Sequence, residues 1–166
     1  MKMSDQILDV DLLAFETGSE ATRRAVIDGV RRSLATGFVY TSTDISEDLL
    51  DSAYGMLVEF FSKDQETKTS CIAPGAHGQT GYTGLLVETA ASSDKPDWKE
   101  MLNWASPIAA GHPLKRKFPG SYPEQLLPDA VVPGISKVLY EFHDAIAEIQ
   151  KRFLRIIALG IGCHET

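Results

Sequence analysis

A long apolar stripe near the C-terminal end constrains this chain more than any other feature. Ile135, Val138, Leu139, Phe142, Ile146, Ile149, Phe153, Ile156 and Ile157 recur at three- and four-residue spacing, which makes one face of a long helix apolar along its whole length. Pro133 stands near its start and Gly160 at its end, in the usual order of helix punctuation. A stripe of that length must be covered by other elements. With 166 residues, 43% of them hydrophobic and 23% charged, the chain can bury one sizeable core. Residues 1–166 therefore read as a single unit, either one domain or a piece of one.

The elements that could cover the helix lie in the first 70 residues. Ile7 to Phe15 carries Ile7, Val10, Leu12, Leu13 and Phe15 and reads as a strand. A helix follows, capped by Thr17 with Glu20 or by Ser19, with Val26, Ile27, Val30 and Leu34 at helical spacing and Gly37 as its stop. Phe38-Val39-Tyr40-Thr41 reads as a second strand. Ser46-Glu47-Asp48 then opens a second helix whose stripe is Leu49, Leu50, Ala53, Met56, Leu57, Phe60 and Phe61, ending in the polar run Ser62 to Ser70. From about 71 to 132 the periodicity disappears and glycine and proline accumulate. A loop of that length in a compact fold is expected to serve a binding site or to pack against a partner element.

Charge and composition exclude several classes. Sixteen basic against 23 acidic side chains leave a net charge of -7, the wrong sign for a general binder of nucleic acid. The basic triplet Lys115-Arg116-Lys117 reads as a solvated loop. No apolar run approaches a membrane span, and Asp5, Asp9 and Asp11 interrupt any secretion signal. Cys71 and Cys163 form no paired motif, so a reducing cytoplasm is the expected compartment.

The familiar chemical motifs are missing as well. A metallohydrolase helix needs two histidines four apart, yet Ala147 stands four after His143. Glu141, Asp144 and Glu148 beside it read as a solvated face. There is no GxSxG, GxGxxG or Walker loop.

A set of segments, taken together, is more informative. These are Leu8-Asp9-Val10-Asp11-Leu12, the helix leading into Ala35-Thr36-Gly37-Phe38-Val39-Tyr40, and the Leu49 to Phe61 helix running into a Lys-containing polar stretch. Next come Ser70-Cys71, Gly81-Tyr82, Glu88-Thr89 and Lys95-Pro96-Asp97-Trp98-Lys99-Glu100, then the helix ending Leu154-Arg155-Ile156-Ile157-Ala158-Leu159-Gly160. The series resembles the N-terminal half of the isopenicillin N synthase-like 2-oxoglutarate/Fe(II) oxygenases, nearest to the bacterial ethylene-forming enzyme.

The resemblance implies an α+β fold: the N-terminal helical and strand portion of a double-stranded β-helix, or jelly roll, whose barrel strands are largely absent from this chain. It implies Fe(II) held by two His and one Asp, and 2-oxoglutarate as co-substrate bound through an Arg-x-Ser pair. Such a ligand triad leaves positions open for the oxo acid and dioxygen. The chain departs from the family at the metal itself. Its first ligands come as His-x-Asp, but the residues two after His77, His112, His143 and His164 are Gln79, Leu114, Ala145 and Thr166. Arg31-Arg32-Ser33 lies in the first helix and does not carry the anchor role. The expectation is a segment of an oxygenase about twice as long, inactive by itself, with its iron ligands beyond Thr166. By position, Glu88, Thr89 and Tyr82 are carried over as substrate contacts, the substrate being a small molecule, either a basic amino acid or a natural-product precursor. Trp98 is expected to pack its loop onto the core, with Asp97 and Glu100 tying that loop down. The alternative from another class is a non-catalytic helical scaffold whose two stripes bury against a partner chain.

Overall fold

The computed structural model describes residues 7–164. In chain order the elements are β1 (Leu8–Asp9), α1 (Leu12–Thr17), α2 (Glu20–Ser33), β2 (Val39–Tyr40), α3 (Glu47–Phe61), α4 (Gln65–Thr69), β3 (Gly81–Thr83), β4 (Met101–Asn103), α5 (Pro113–Lys117), a 3-10 turn (Pro119–Ser121) and α6 (Ile135–Gly160). They group into two units, 7–46 with 145–164 and 47–144. Among the described residues no helix is long and apolar enough to cross a membrane.

In the first unit β1 and β2 pair in parallel, Leu8 opposite Val39. The strand predicted over Ile7 to Phe15 is cut to two residues, because Asp11 turns the chain into α1. Its carboxylate accepts from the Ala14 amide at 2.9 Å and from the Ser42 hydroxyl. Thr41 and Ser42 accept from the Leu12 and Leu13 amides, so side chains satisfy the donors that open the helix. Of the two caps open for α2, Ser19 takes the role, accepting from the Thr22 amide. Val10, Leu12, Phe15, Val26, Val30 and Ile156 form the core, with Ile149, Phe153 and Ile157 packed against it. Arg152 bridges Glu16 at 2.8 and 2.5 Å and Asp44 at 2.8 and 2.9 Å. Its hydrogen bonds hold both carboxyls below the usual carboxylate range.

The second unit is built around α3, whose Ala53 and Phe60 are fully buried. Cys71, Tyr82, Leu102, Val132, Ile135 and Leu139 complete its core. The polar run Ser62 to Ser70 is not a plain connection: Asp64 caps α4 by accepting from the Thr67 amide at 2.8 Å. The expected loop over 71–132 contains an antiparallel pair, with Gly81 opposite Asn103 and Tyr82 opposite Leu102, besides α5 and the 3-10 turn. Three-residue strands leave too short an alternation to read. The predicted long helix runs Ile135–Gly160, although Ile146 of its stripe is 44% exposed.

Candidate functional site

The Gly81-Tyr82 pair owes its form to one close approach. Gly81 has φ +79°, and a Cβ there would lie 2.7 Å from the Cys71 carbonyl oxygen, so only glycine fits. The next amide, Tyr82, donates to that carbonyl at 2.9 Å. Its ring meets Phe60 edge-on at 5.9 Å. Its hydroxyl donates to Glu100 Oε2 at 2.6 Å and accepts from Gln65 Nε2 at 3.1 Å. Lys68 Nζ, on a residue 7% exposed, donates to both Glu100 oxygens at 2.8 and 3.1 Å.

This network sets the charge states of its members. Burial works to raise the Glu100 carboxyl, but the hydrogen bonds from Lys68 and Tyr82 outweigh it and hold the group below the usual range. The Glu100 hydrogen bond raises Lys68 against the opposing effect of burial. Burial, followed by the Glu100 bond, pushes Tyr82 up. The residues are thus a carboxylate, an ammonium and a neutral phenol.

Beside this network opens a cavity of about 510 Å³ lined by Ile72, His77, Gly78, Thr83, Val87 and Glu88 among others, with Tyr82 in its wall. The loop over it is shaped by left-handed residues at Gly75, His77 and Gly78 and pinned where Asn103 Nδ2 donates to the Gly78 carbonyl at 2.9 Å. A larger hollow of about 600 Å³ in the other unit, lined by Arg24, Asp28, Arg31 and Ile161 among others, is an open trough. Two of its charged groups are already spent on helix pairs, Arg24 with Glu20 and Asp28 with Arg32.

Of the three residues carried over as substrate contacts, Tyr82 and Glu88 meet at the cavity, whereas Thr89 is exposed and outside its lining, bridged to Pro96. Glu88 Oε2 lies 2.9 Å from Lys99 Nζ, which is 3.1 Å from Asp97 Oδ2. Trp98 does not pack its loop onto the core: it is 79% exposed. Main-chain bonds hold that loop instead, Asp97 N to Glu88 O at 2.7 Å and Leu86 N to Asp97 O at 3.1 Å. Glu100 ties the segment down as expected, and Asp97 does so through Lys99 and its main chain. Thr83 and Gly78 went unnoticed in the sequence, where neither belongs to a motif. That the Thr83 hydroxyl and the Glu88 carboxylate both lie near the bare Cα of Gly78 is visible only in three dimensions.

Ser106, His143 and Asp144 also meet, but in the wrong order for a hydrolase. Ser106 Oγ lies 3.2 Å from His143 Nδ1, and Asp144 Oδ1 approaches the same nitrogen at 3.4 Å. A working triad places its acid on the other ring nitrogen.

Residues 7–129 match the family described as non-haem dioxygenase in morphine synthesis N-terminal, and the chain belongs to that family. Its fold is that of the N-terminal portion of 2OG-Fe(II) oxygenases. A 2OG-Fe(II) oxygenase family protein from Caulobacter crescentus superposes with TM-score 0.77 at 20% identity, over 97% of this chain and 50% of that one. A full-length protein from Neurospora crassa in complex with alpha-KG gives TM-score 0.74 at 18% identity, over 99% and 52%. The same Neurospora crassa protein with alpha-KG and thymine gives 0.70 at 20%, over 95% and 49%. The chain thus spans about half the length of these solved structures. No curated protein matches it in sequence.

Iron of the 2OG-Fe(II) type needs several imidazole and carboxylate ligands on one ion. Among the described residues no three His, Cys, Asp or Glu side chains are grouped to hold a metal. The described residues therefore do not fit that group.

Proposed function

We propose that these residues are the N-terminal portion of an Fe(II)- and 2-oxoglutarate-dependent oxygenase that oxidises a small molecule, a basic amino acid or a natural-product precursor. The observation that carries this reading is the family match over 7–129, together with a fold shared with 2OG-Fe(II) oxygenases. Within that superfamily the order of segments is nearest to the bacterial ethylene-forming enzyme. The iron ligands and the 2-oxoglutarate anchor belong, on this reading, to sequence beyond Thr166.

The contribution of the present residues is to bind and orient the substrate. Glu88 supplies a carboxylate to a cationic group, a charge-assisted bond stronger than a neutral one. Tyr82 offers its ring as a wall, its hydroxyl being committed to Glu100. Thr89, next along the loop, contacts the substrate from outside the cavity lining.

The test uses the full-length protein. Oxygen uptake that needs both Fe(II) and 2-oxoglutarate, and that a basic amino acid stimulates, is the expected result. Glu88→Gln should then weaken apparent substrate affinity about tenfold; unchanged affinity and turnover would sink the assignment of Glu88. A protein that neither binds nor is stabilised by Fe(II) with 2-oxoglutarate would instead be a non-catalytic scaffold.

A further inference from the structure

Thr83 is a buried residue whose hydroxyl the other described residues leave free. It is 7% exposed, and among the described residues its hydroxyl has no hydrogen-bond partner. No side-chain oxygen in the described residues is both sealed from solvent and unsatisfied, so this hydroxyl opens onto the cavity that Thr83 lines. The gap it faces is made by the missing side chain of Gly78. A Cβ built on Gly78 would stand 3.3 Å from Thr83 Oγ1 and 3.9 Å from Glu88 Oε1. Two acceptors, from β3 and from the following loop, therefore converge on one small space that any side chain at 78 would fill.

Lys99 determines what Glu88 offers there. It holds Oε2 at 2.9 Å and leaves Oε1 toward the gap. Glu88 and Asp97 against Lys99 sum to one net negative charge, which a single incoming cation would cancel. A guanidinium is best held by both oxygens of a carboxylate in a fork, and that fork is blocked. An ammonium is a compact point charge with donors that can turn to separate acceptors.

We infer that Gly78, Thr83 and Glu88 form a subsite for a primary ammonium group, in which Thr83 Oγ1 and Glu88 Oε1 accept its N–H bonds and Lys99 is a positioning residue that selects ammonium over guanidinium. This rests on the proposed substrate role of the cavity and narrows it from basic groups in general to one kind.

The test is binding to the full-length protein, with neither iron nor 2-oxoglutarate present, followed by amide NMR. Butylamine and butylguanidine are the probes. Butylamine should shift the Gly78, Thr83 and Glu88 amides saturably and bind more tightly than butylguanidine. Thr83→Val should weaken butylamine roughly tenfold while Thr83→Ser retains it, because a hydrogen bond to a charged group is lost in one and kept in the other. Lys99→Met should reverse the preference toward butylguanidine by freeing the fork, a change that a merely structural lysine would not produce. Unaltered amide dispersion in each variant reports an intact fold. No saturable shift at these amides, equal affinity in Thr83→Val, or an unchanged amine-to-guanidine ratio in Lys99→Met would each overturn the inference. Oxygen uptake dependent on Fe(II) and 2-oxoglutarate is scored separately, so the subsite can fail while the oxygenase reading stands, and the reverse.

Discussion

Lys68 and Glu100, 32 positions apart, form a largely buried ion pair at 2.8 Å that joins α4 to the segment leading into β4. The Tyr82 hydroxyl completes it at 2.6 Å. The pair gives a reason for the lysine of the polar stretch after α3 and supplies the partner through which Glu100 ties its segment down. Each is the other's counterion beneath the candidate cavity.

Removing one partner leaves an uncompensated charge. Lys68→Met should cost about 3 kcal/mol, at the low end for a buried pair because the Glu100 side chain keeps 23% exposure. Lys68→Met with Glu100→Leu should recover most of the loss, since no charge is stranded. Urea unfolding followed by tryptophan fluorescence measures both, and a double variant as weak as the single would refute the account.

The same pair gives stability a pH dependence of definite sign. Glu100 titrates below its ordinary 4.5 in the folded protein. Its contribution is therefore present above that value and is lost as pH falls through the lowered folded one. Lys68 titrates above its ordinary 10.5, so its contribution is full below that value and fades as pH rises through the raised one. Unfolding midpoints measured across pH should fall at both extremes. The Glu100→Gln variant should show a flatter acid limb.

Gly81→Ala tests the close approach at the start of β3. The added methyl meets the Cys71 carbonyl at 2.7 Å in a left-handed backbone, and the expected cost is about 2–3 kcal/mol. Gly75→Ala is the control. It shares the positive φ but meets nothing within 4 Å, so it should cost less. Hydrogen exchange at the Tyr82 and Thr83 amides reports the difference directly.

Arg152→Lys should loosen the first unit. Lysine keeps the charge but cannot span Glu16 and Asp44 as the guanidinium fork does. Faster exchange at the amides of α1 is expected, with a smaller difference between variant and parent at high salt, where exposed charges are screened. Identical exchange in parent and variant would refute a clamp.

The long helix and α3 were legible because their apolar stripes repeat over many turns, which few other arrangements satisfy. The first strand misled because apolar residues dominate Ile7 to Phe15 and outweigh Asp9 and Asp11. Thr41 and Ser42, 29 to 31 positions away and bonded at Leu12, Leu13 and Asp11, complete the cap that turns the chain into a helix there. Trp98 misled for a related reason: an indole in a glycine- and proline-rich region suggests packing, yet the loop's main-chain bonds hold it and the ring stays in solvent.

The amino-acid sequence by itself determined α2, α3, the long core helix, the Gly-Tyr and Glu positions and the family they resemble, because these reside in local spacing and residue type. Only the tertiary structure decided that Lys68 answers Glu100, that Tyr82 spends its hydroxyl beneath the cavity, that Thr89 lies outside the cavity's lining, and that Thr83 and Glu88 converge above Gly78. Pairing across tens of residues depends on where the chain returns to itself, and no local pattern encodes that distance.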